Sequence, residues 1–216
     1  MKNRSALCLV ALFSCSVVFP WSTRAESPVA AQPATVETII FVRHGEKPAN
    51  DLGQLTFQGL NRALALPDVL IKKYGNADFI FAPSTKPDPA KNNGAYSYIR
   101  PLITIEPTAI RLGLPVNARI AFDDTAALQT ELLAPTYQNA LVFVAWEHRK
   151  LDEVVKNIMH ALGGDPDTIP EWAQKDFDSI YVVKIRTENG KKTVTFQHDQ
   201  EGLDGQSTQE PEPKKN

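Results

Sequence analysis

Apolar residues in this chain fall into short unbroken runs and longer periodic stripes, separated by polar punctuation. Ile39-Ile40-Phe41-Val42 has no polar interruption, the pattern of a strand buried on both faces. Between Thr56 and Tyr74, Leu60, Ala63, Leu64, Leu70 and Ile71 recur at helical spacing. Thr56 is a candidate N-cap for that helix, and Pro67 is expected to bend or interrupt it. Phe79 to Ala82 reads as a second short strand, ended by Pro83. Residues 83–97 then form a polar, Pro- and Gly-containing loop, longer than most connections in compact domains.

The pattern further predicts a helix over Arg100–Leu112 closed by Gly113, and a strand over Ala118–Phe122. A helix over Thr125–Ala134 is opened by Asp123-Asp124, and Leu141 to Ala145 is a third buried strand. Leu151, Val154, Val155, Ile158, Met159 and Leu162 make an apolar helical stripe with Gly163 as its C-cap. Ile180–Ile185 and Thr193–Phe196 read as strands joined at Asn189-Gly190, a strong hairpin signal. Alternating strands and helices predict an α/β fold: a three-layer α/β/α sandwich with a mostly parallel central sheet.

The two ends break this rhythm. Lys2 and Arg4 precede an apolar run from Ala6 to Phe19, and Thr23 and Ala25 stand three and one positions before a cut at Glu26. That is the grammar of a secretory signal peptide, and the run is short for a span of roughly 20 apolar residues. No comparable run follows, so no stable membrane span is expected. Export, to a periplasm or to the outside, is the expectation; Leu12-Phe13-Ser14-Cys15 loosely resembles a lipoprotein box, and anchoring through Cys15 is the alternative. The chain then divides into a signal peptide (1–25), a flexible lead-in (26–36), a folded domain (37–198) and a polar tail (199–216) too poor in apolar residues to fold.

Both cysteines, Cys8 and Cys15, lie in the leader, so the mature chain is expected to lack disulfides, cysteine-held metals and a cysteine nucleophile. Without residues 1–25, Lys and Arg fall from 23 to 20 against 25 Asp and Glu, a formal charge of −5. A mildly acidic chain lacks the basic footprint of a nucleic-acid binder, and no nucleic-acid partner is expected.

The chemistry concentrates at strand ends. Arg43-His44-Gly45 directly follows the first buried strand, and in open α/β sheets reactive groups gather beyond the carboxyl ends of strands. A neutral imidazole can attack phosphorus when its other ring nitrogen is held as a donor, and an adjacent arginine offers a fork of donors to phosphoryl oxygens. His148 follows the strand Leu141–Ala145 in the same topological place, and Arg100 opens a helix after the second strand and its loop. A helix start also offers unpaired N–H groups to an anion.

These segments resemble the histidine phosphatase superfamily, the phosphoglycerate-mutase-like fold. Arg43-His44-Gly45 is similar to that family's first motif, and Leu55-Thr56…Gly59…Ala63 to the helix that follows it. Ser97…Arg100-Pro101…Thr104…Pro107 resembles the second-arginine segment, and Val142 to His148 the second-histidine strand. Trp172…Asp176-Phe177-Asp178 with Ile180-Tyr181-Val182 is similar to the closing strand of some bacterial members. The resemblance runs in family order from about residue 38 to 186. It implies that His44 becomes transiently phosphorylated and that Arg43, Arg100 and His148 hold the phosphoryl group, with no metal or cofactor.

Family members usually supply a carboxylate to protonate the leaving oxygen. Here Arg149 follows His148 where some members carry Asp, which leaves Asp123, Asp124, Glu131 and Glu147 as candidates; an Asp-Asp pair before a helix is also a ready cap. Glu46 and Lys47 are expected at the mouth of the pocket, overhung by loop residues Lys86, Lys91, Asn92 and Asn93. His160 and His198 are read as peripheral, and Trp146 and Trp172 as packing residues. The function expected is an exported phosphatase acting on a small phosphate monoester through a phosphohistidine. The alternative is a catalytically degenerate relative that binds a phosphorylated or anionic ligand without turnover.

Overall fold

A computed structural model describes residues 33–50, 52–86 and 96–212. The signal-peptide and lipoprotein readings, most of the lead-in, and Lys91, Asn92 and Asn93 lie outside these residues.

The unbroken apolar run seen in the sequence is the centre of a longer strand, β1 (Thr35–Arg43), so the last two residues of the expected lead-in are already in the sheet. Helix α1 (Phe57–Tyr74) starts where Thr56 Oγ1 accepts the Gly59 amide at 3.2 Å. It then runs through Pro67 as one element, so of the bend or interruption expected there the interruption does not occur. Burial of Leu66, Pro67 and Leu70 outweighs the one helical N–H that proline lacks.

Strand β2 (Phe79–Phe81) leads through the long loop to α2 (Arg100–Leu112), whose bounds match the expectation. The strand expected over Ala118–Phe122 does not form; β3 is only Val116–Asn117. The Ala82 amide reaches the Asn117 carbonyl at 3.1 Å and the Ser84 amide the Ile120 carbonyl at 2.6 Å, so two residues on one side span three on the other and the regular ladder is lost beyond Asn117. Helix α3 (Thr125–Leu132), β4 (Leu141–Trp146), α4 (His148–Ala161), β5 (Ser179–Glu188) and β6 (Lys191–Gln200) complete the order. β5 and β6 meet at Asn189-Gly190, where both residues have positive φ (50° and 76°), as a tight hairpin requires.

The six strands form one sheet in the order β3-β2-β4-β1-β5-β6. The first four run parallel, β5 is antiparallel to them, and β6 pairs antiparallel with β5 and so points the same way as the first four. Alternation along each strand divides the core. Ile40, Val42, Phe143, Ala145, Ile180 and Val182 face α1 and α2, while Ile39, Phe41, Val142, Val144, Tyr181 and Val183 face α3 and α4. This is the α/β/α sandwich the pattern called for. Among the described residues no helix is long and apolar enough to cross a membrane.

The segment after β6 corrects the expectation of an unfolded tail from Asp199. Asp199 and Gln200 are in β6, Glu201 is buried, and Leu203 joins the cluster around Leu66 and Leu70. The Asp178 carboxylate accepts the amides of Gly202 (3.0 Å) and Leu203 (2.7 Å), and Asn61 Nδ2 donates to the carbonyls of Ser207 and Gln209. A stretch with too few apolar residues to fold alone is held by polar groups that the domain presents to it.

Glu37 in β1 is 2 % exposed and its Oε1 has no hydrogen-bond partner among the described residues. Burial pushes its carboxyl up to about 7, with Lys192 opposing. The folded state therefore holds this proton more tightly than the unfolded chain, and stability from the group falls as pH rises from about 4.5 through about 7. Glu37→Gln should match the wild type in thermal denaturation at pH 5 and exceed it at pH 8, by about 2–3 kcal/mol. An advantage that did not grow with pH would show that Glu37 ionises normally in the folded protein.

Candidate active site

Parallel pairing of β1 with β4 sets the site. Arg43 is in register with Trp146, and the His44 amide donates to the Trp146 carbonyl at 3.0 Å, so both chains leave the sheet side by side. His44 and the pair Glu147-His148 thus emerge on neighbouring strands, which lie about 5 Å apart. β2 flanks β4 on its other side, and the loop after it brings Arg100 to the start of α2 at the same edge. Arg43, His44, Arg100 and His148, the four residues singled out in the sequence, all line one cleft of about 720 Å³. They are 2, 2, 6 and 7 % exposed.

His44 is fixed by its own backbone. Its Nδ1 lies 2.8 Å from the Gly45 carbonyl, which can only accept, so Nδ1 carries the ring proton and Nε2 a lone pair. The Gly45 amide donates to Thr104 Oγ1 (2.9 Å), whose hydroxyl donates to the Arg100 carbonyl (2.8 Å), tying the loop after β1 to α2. Burial lowers the His44 pKa to about 3; the Gly45 hydrogen bond opposes this, and Arg100 and Arg43 add to it. The ring is neutral across the physiological range.

Each arginine lies flat on an aromatic ring. The Arg43 guanidinium is 3.8 Å from the Phe177 ring centre, and that of Arg100 is 4.7 Å from Tyr98. Arg43 Nη1 also donates to the carbonyls of Gln174 (2.8 Å) and Asp176 (2.6 Å), while its buried Nε has no partner among the described residues. Burial lowers the Arg43 pKa to about 10, and Glu147 and Asp176 oppose the shift. The group stays charged, holding one desolvated donor in reserve beside the cleft. Tyr98 and Phe177, which the sequence reading did not place at the site, carry no apolar periodicity that would have separated them from packing residues.

His148 Nδ1 lies 2.8 Å from Glu147 Oε1. Glu147 Oε2 accepts the Lys150 amide at 3.0 Å and so caps α4. Burial raises the Glu147 carboxyl, but His148, the Lys150 amide and His44 outweigh it and hold the group down to about 2. Glu147 is in the cleft, yet ionised and doubly engaged.

The other candidates disperse. Asp124 caps α3 by accepting the Ala127 amide (3.0 Å), and neither it nor its exposed neighbour Asp123 lines the cleft. Glu131 accepts from the Tyr137 hydroxyl, away from the cleft. Lys47 lines the cleft as expected, but the Glu46 carboxylate does not; it is bound to Arg62 of α1, 2.8 Å from Nη2. This corrects the placement of Glu46 at the pocket mouth: the buried guanidinium attracts its carboxylate more strongly than solvent at the rim could. Trp146 and Trp172 are packing residues, as read. His160 is exposed, whereas His198, read as incidental, bonds the buried Ser179 hydroxyl at 2.7 Å.

No protein-family model matches the sequence, and no curated protein matches it. Solved structures do. A proposed phosphohistidine phosphatase SixA from Nakamurella multipartitia is 16% identical with a TM-score of 0.51, covering 77% of this chain and 98% of that one. A phosphoserine phosphatase from Entamoeba histolytica in complex with phosphoserine is 16% identical at a TM-score of 0.45, covering 77% of this chain and 98% of that one. A mycobacterial glucosyl-3-phosphoglycerate phosphatase is 11% identical at a TM-score of 0.45, covering 76% of this chain and 98% of that one. The first likeness shows that the chain has the phosphoglycerate-mutase-like fold of the histidine phosphatases.

The loop that carries His44 rests directly on α1. A Cβ on Gly59 would stand 2.7 Å from the Glu46 backbone nitrogen and collide with its carbonyl oxygen. Gly59→Ala should therefore displace residues 45–46, costing about 1–3 kcal/mol in denaturant unfolding. Wild-type stability in that variant would mean the loop yields without strain.

Proposed function

We propose that this protein is a phosphatase that hydrolyses a small phosphate monoester through a phosphohistidine on His44. One observation carries the reading: a buried, neutral imidazole, its Nδ1 proton held by the Gly45 carbonyl, lies in one cleft with Arg43, Arg100 and His148. In the first step the Nε2 lone pair forms a bond to phosphorus as the bond to the ester oxygen breaks, and that oxygen leaves with the electron pair. Water then attacks the phosphohistidine, the N–P bond breaks, and inorganic phosphate leaves as Nε2 regains its lone pair. Arg43, Arg100 and the His148 ring bind the phosphoryl oxygens, and stabilising charge on a transferring phosphoryl group is commonly the largest catalytic contribution.

The carboxylates at the cleft sharpen the substrate expectation. Glu147 is held ionised, and Glu153 accepts from the Thr125 hydroxyl (2.6 Å) and Lys150 Nζ (2.9 Å), which lowers its pKa in turn. Among the described residues, then, no carboxylate at the cleft is poised to deliver a proton, and leaving groups stable as anions should be favoured. The same observation favours the second reading, a degenerate relative that binds a phosphorylated ligand and does not turn it over. The leader-like residues 1–25 support action outside the cytosol, where phosphoglycerates, the substrates of mutases with this fold, are not supplied; the mass of the mature protein tests the leader.

Purified protein should hydrolyse p-nitrophenyl phosphate faster than alkyl phosphates of similar size. His44→Ala should abolish turnover, and Arg43→Ala or Arg100→Ala should lower kcat by about 100-fold or more. Acid-labile phosphate should appear on His44 in a quenched reaction. Tight binding of phosphate esters with no turnover between pH 4 and 8 would select the second reading, and an active His44→Ala would defeat the first.

A further inference from the structure

One buried cation has no part in the reaction above. Arg62 of α1 is fully buried and meets carboxylates from three separate stretches of chain. Its Nε lies 3.1 Å from both Glu46 oxygens and its Nη2 2.8 Å from Oε1, a bidentate grip. Nη1 donates to Glu201 Oε2 (2.6 Å) and Asp178 Oδ1 (3.2 Å), and Nη2 also donates to Asp204 Oδ1 (3.0 Å). Burial pushes the Glu201 carboxyl up to about 8, with Arg62 opposing. Buried ion pairs seldom add stability over apolar packing, and their best-attested use is to fix geometry.

Covalent geometry says what this one fixes. The carbonyl that holds His44 Nδ1 belongs to the planar Gly45–Glu46 peptide. On its far side the Glu46 carbonyl accepts from the Thr56 amide (2.9 Å) and Thr56 Oγ1 (3.2 Å), and the Glu46 side chain is gripped by Arg62. Turning the Gly45 carbonyl away from His44 would require Glu46 to shift within that grip.

We propose that Arg62 is a positioning residue: through Glu46 it holds the Gly45 carbonyl against His44 Nδ1, and Glu201 with Asp204 hold Arg62 from the opposite side. The C-terminal segment thereby becomes part of the support of the nucleophile. The claim builds on the phosphatase reading for its kinetic consequences only; the ring geometry is independent of it.

The test compares Glu46→Ala, Glu46→Gln and Glu201→Ala with the wild type, each checked for folding by thermal denaturation. Turnover of p-nitrophenyl phosphate is measured together with the imidazole nitrogen NMR shifts of His44. Glu46→Ala should lower kcat by about 10-fold with KM nearly unchanged, because misplacement, not lost phosphoryl binding, is the defect. Glu46→Gln keeps an oxygen for Arg62 and should recover most of the loss, while Glu201→Ala should lower kcat although its side chain is remote from the cleft. The wild-type ring should show one Nδ1–H tautomer, and Glu46→Ala a mixture. Unchanged kcat and tautomer in Glu46→Ala would overturn the proposal, as would a rise in KM at constant kcat. A wild type inactive on every ester would defeat the phosphatase reading, while the tautomer comparison would still decide this one.

Discussion

The hydrogen bond from His44 Nδ1 to the Gly45 carbonyl constrains everything around it. A ring 2 % exposed beside two guanidinium groups could not carry a charge without large cost, so it must stay neutral. A neutral imidazole has one proton to place, and only one placement leaves a lone pair on Nε2. The acceptor that decides the matter is a backbone atom, so its direction depends on the loop's conformation. Thr104, Thr56, the absent side chain of Gly59 and Arg62 all act on those few peptide planes. Much of the local design follows from the need to keep one carbonyl pointing one way.

The cations follow a related logic. Arg43 is desolvated, and among the described residues no carboxylate lies directly on its guanidinium, so its charge is left to the cleft. Phe177 and the carbonyls of Gln174 and Asp176 hold it instead, and Tyr98 lies under Arg100. Such partners orient a guanidinium while leaving its net charge intact. Glu147 is close by, but its contact is with His148 and the start of α4.

What the sequence disclosed, and what it hid, divides along the same physical line. Apolar periodicity made β1, β4, α1, α2 and α4 readable, and position at strand ends was enough to bring His44, His148 and Arg100 together. Asp124 was recognisable as a cap from its place before α3. Buried polarity has no such signature. Arg62, Glu201 and Asp178 look like solvated residues until the fold closes over them, and the segment after Asp199 therefore reads as unfolded although it is packed. Glu46 went astray for the same reason, since proximity to His44 in sequence points to the cleft and only the position of Arg62 turns its side chain away. The short β3 was misplaced because strand length depends on register with the partner, and that register is lost between Asn117 and Ile120.

The pairing of Arg62 with Glu201 spans 139 residues of chain, a separation set by the antiparallel hairpin that carries the chain back to α1. Contacts of such long range are made late, because the entropy of closing the loop must be met before they form. The loop next to the first strand can therefore form before its final support is docked. A partly folded molecule, with its central strands paired and its last dozen residues undocked, would hold the cleft and its cations while the imidazole still chose between tautomers. Order at the His44 ring would be among the last properties the molecule acquires.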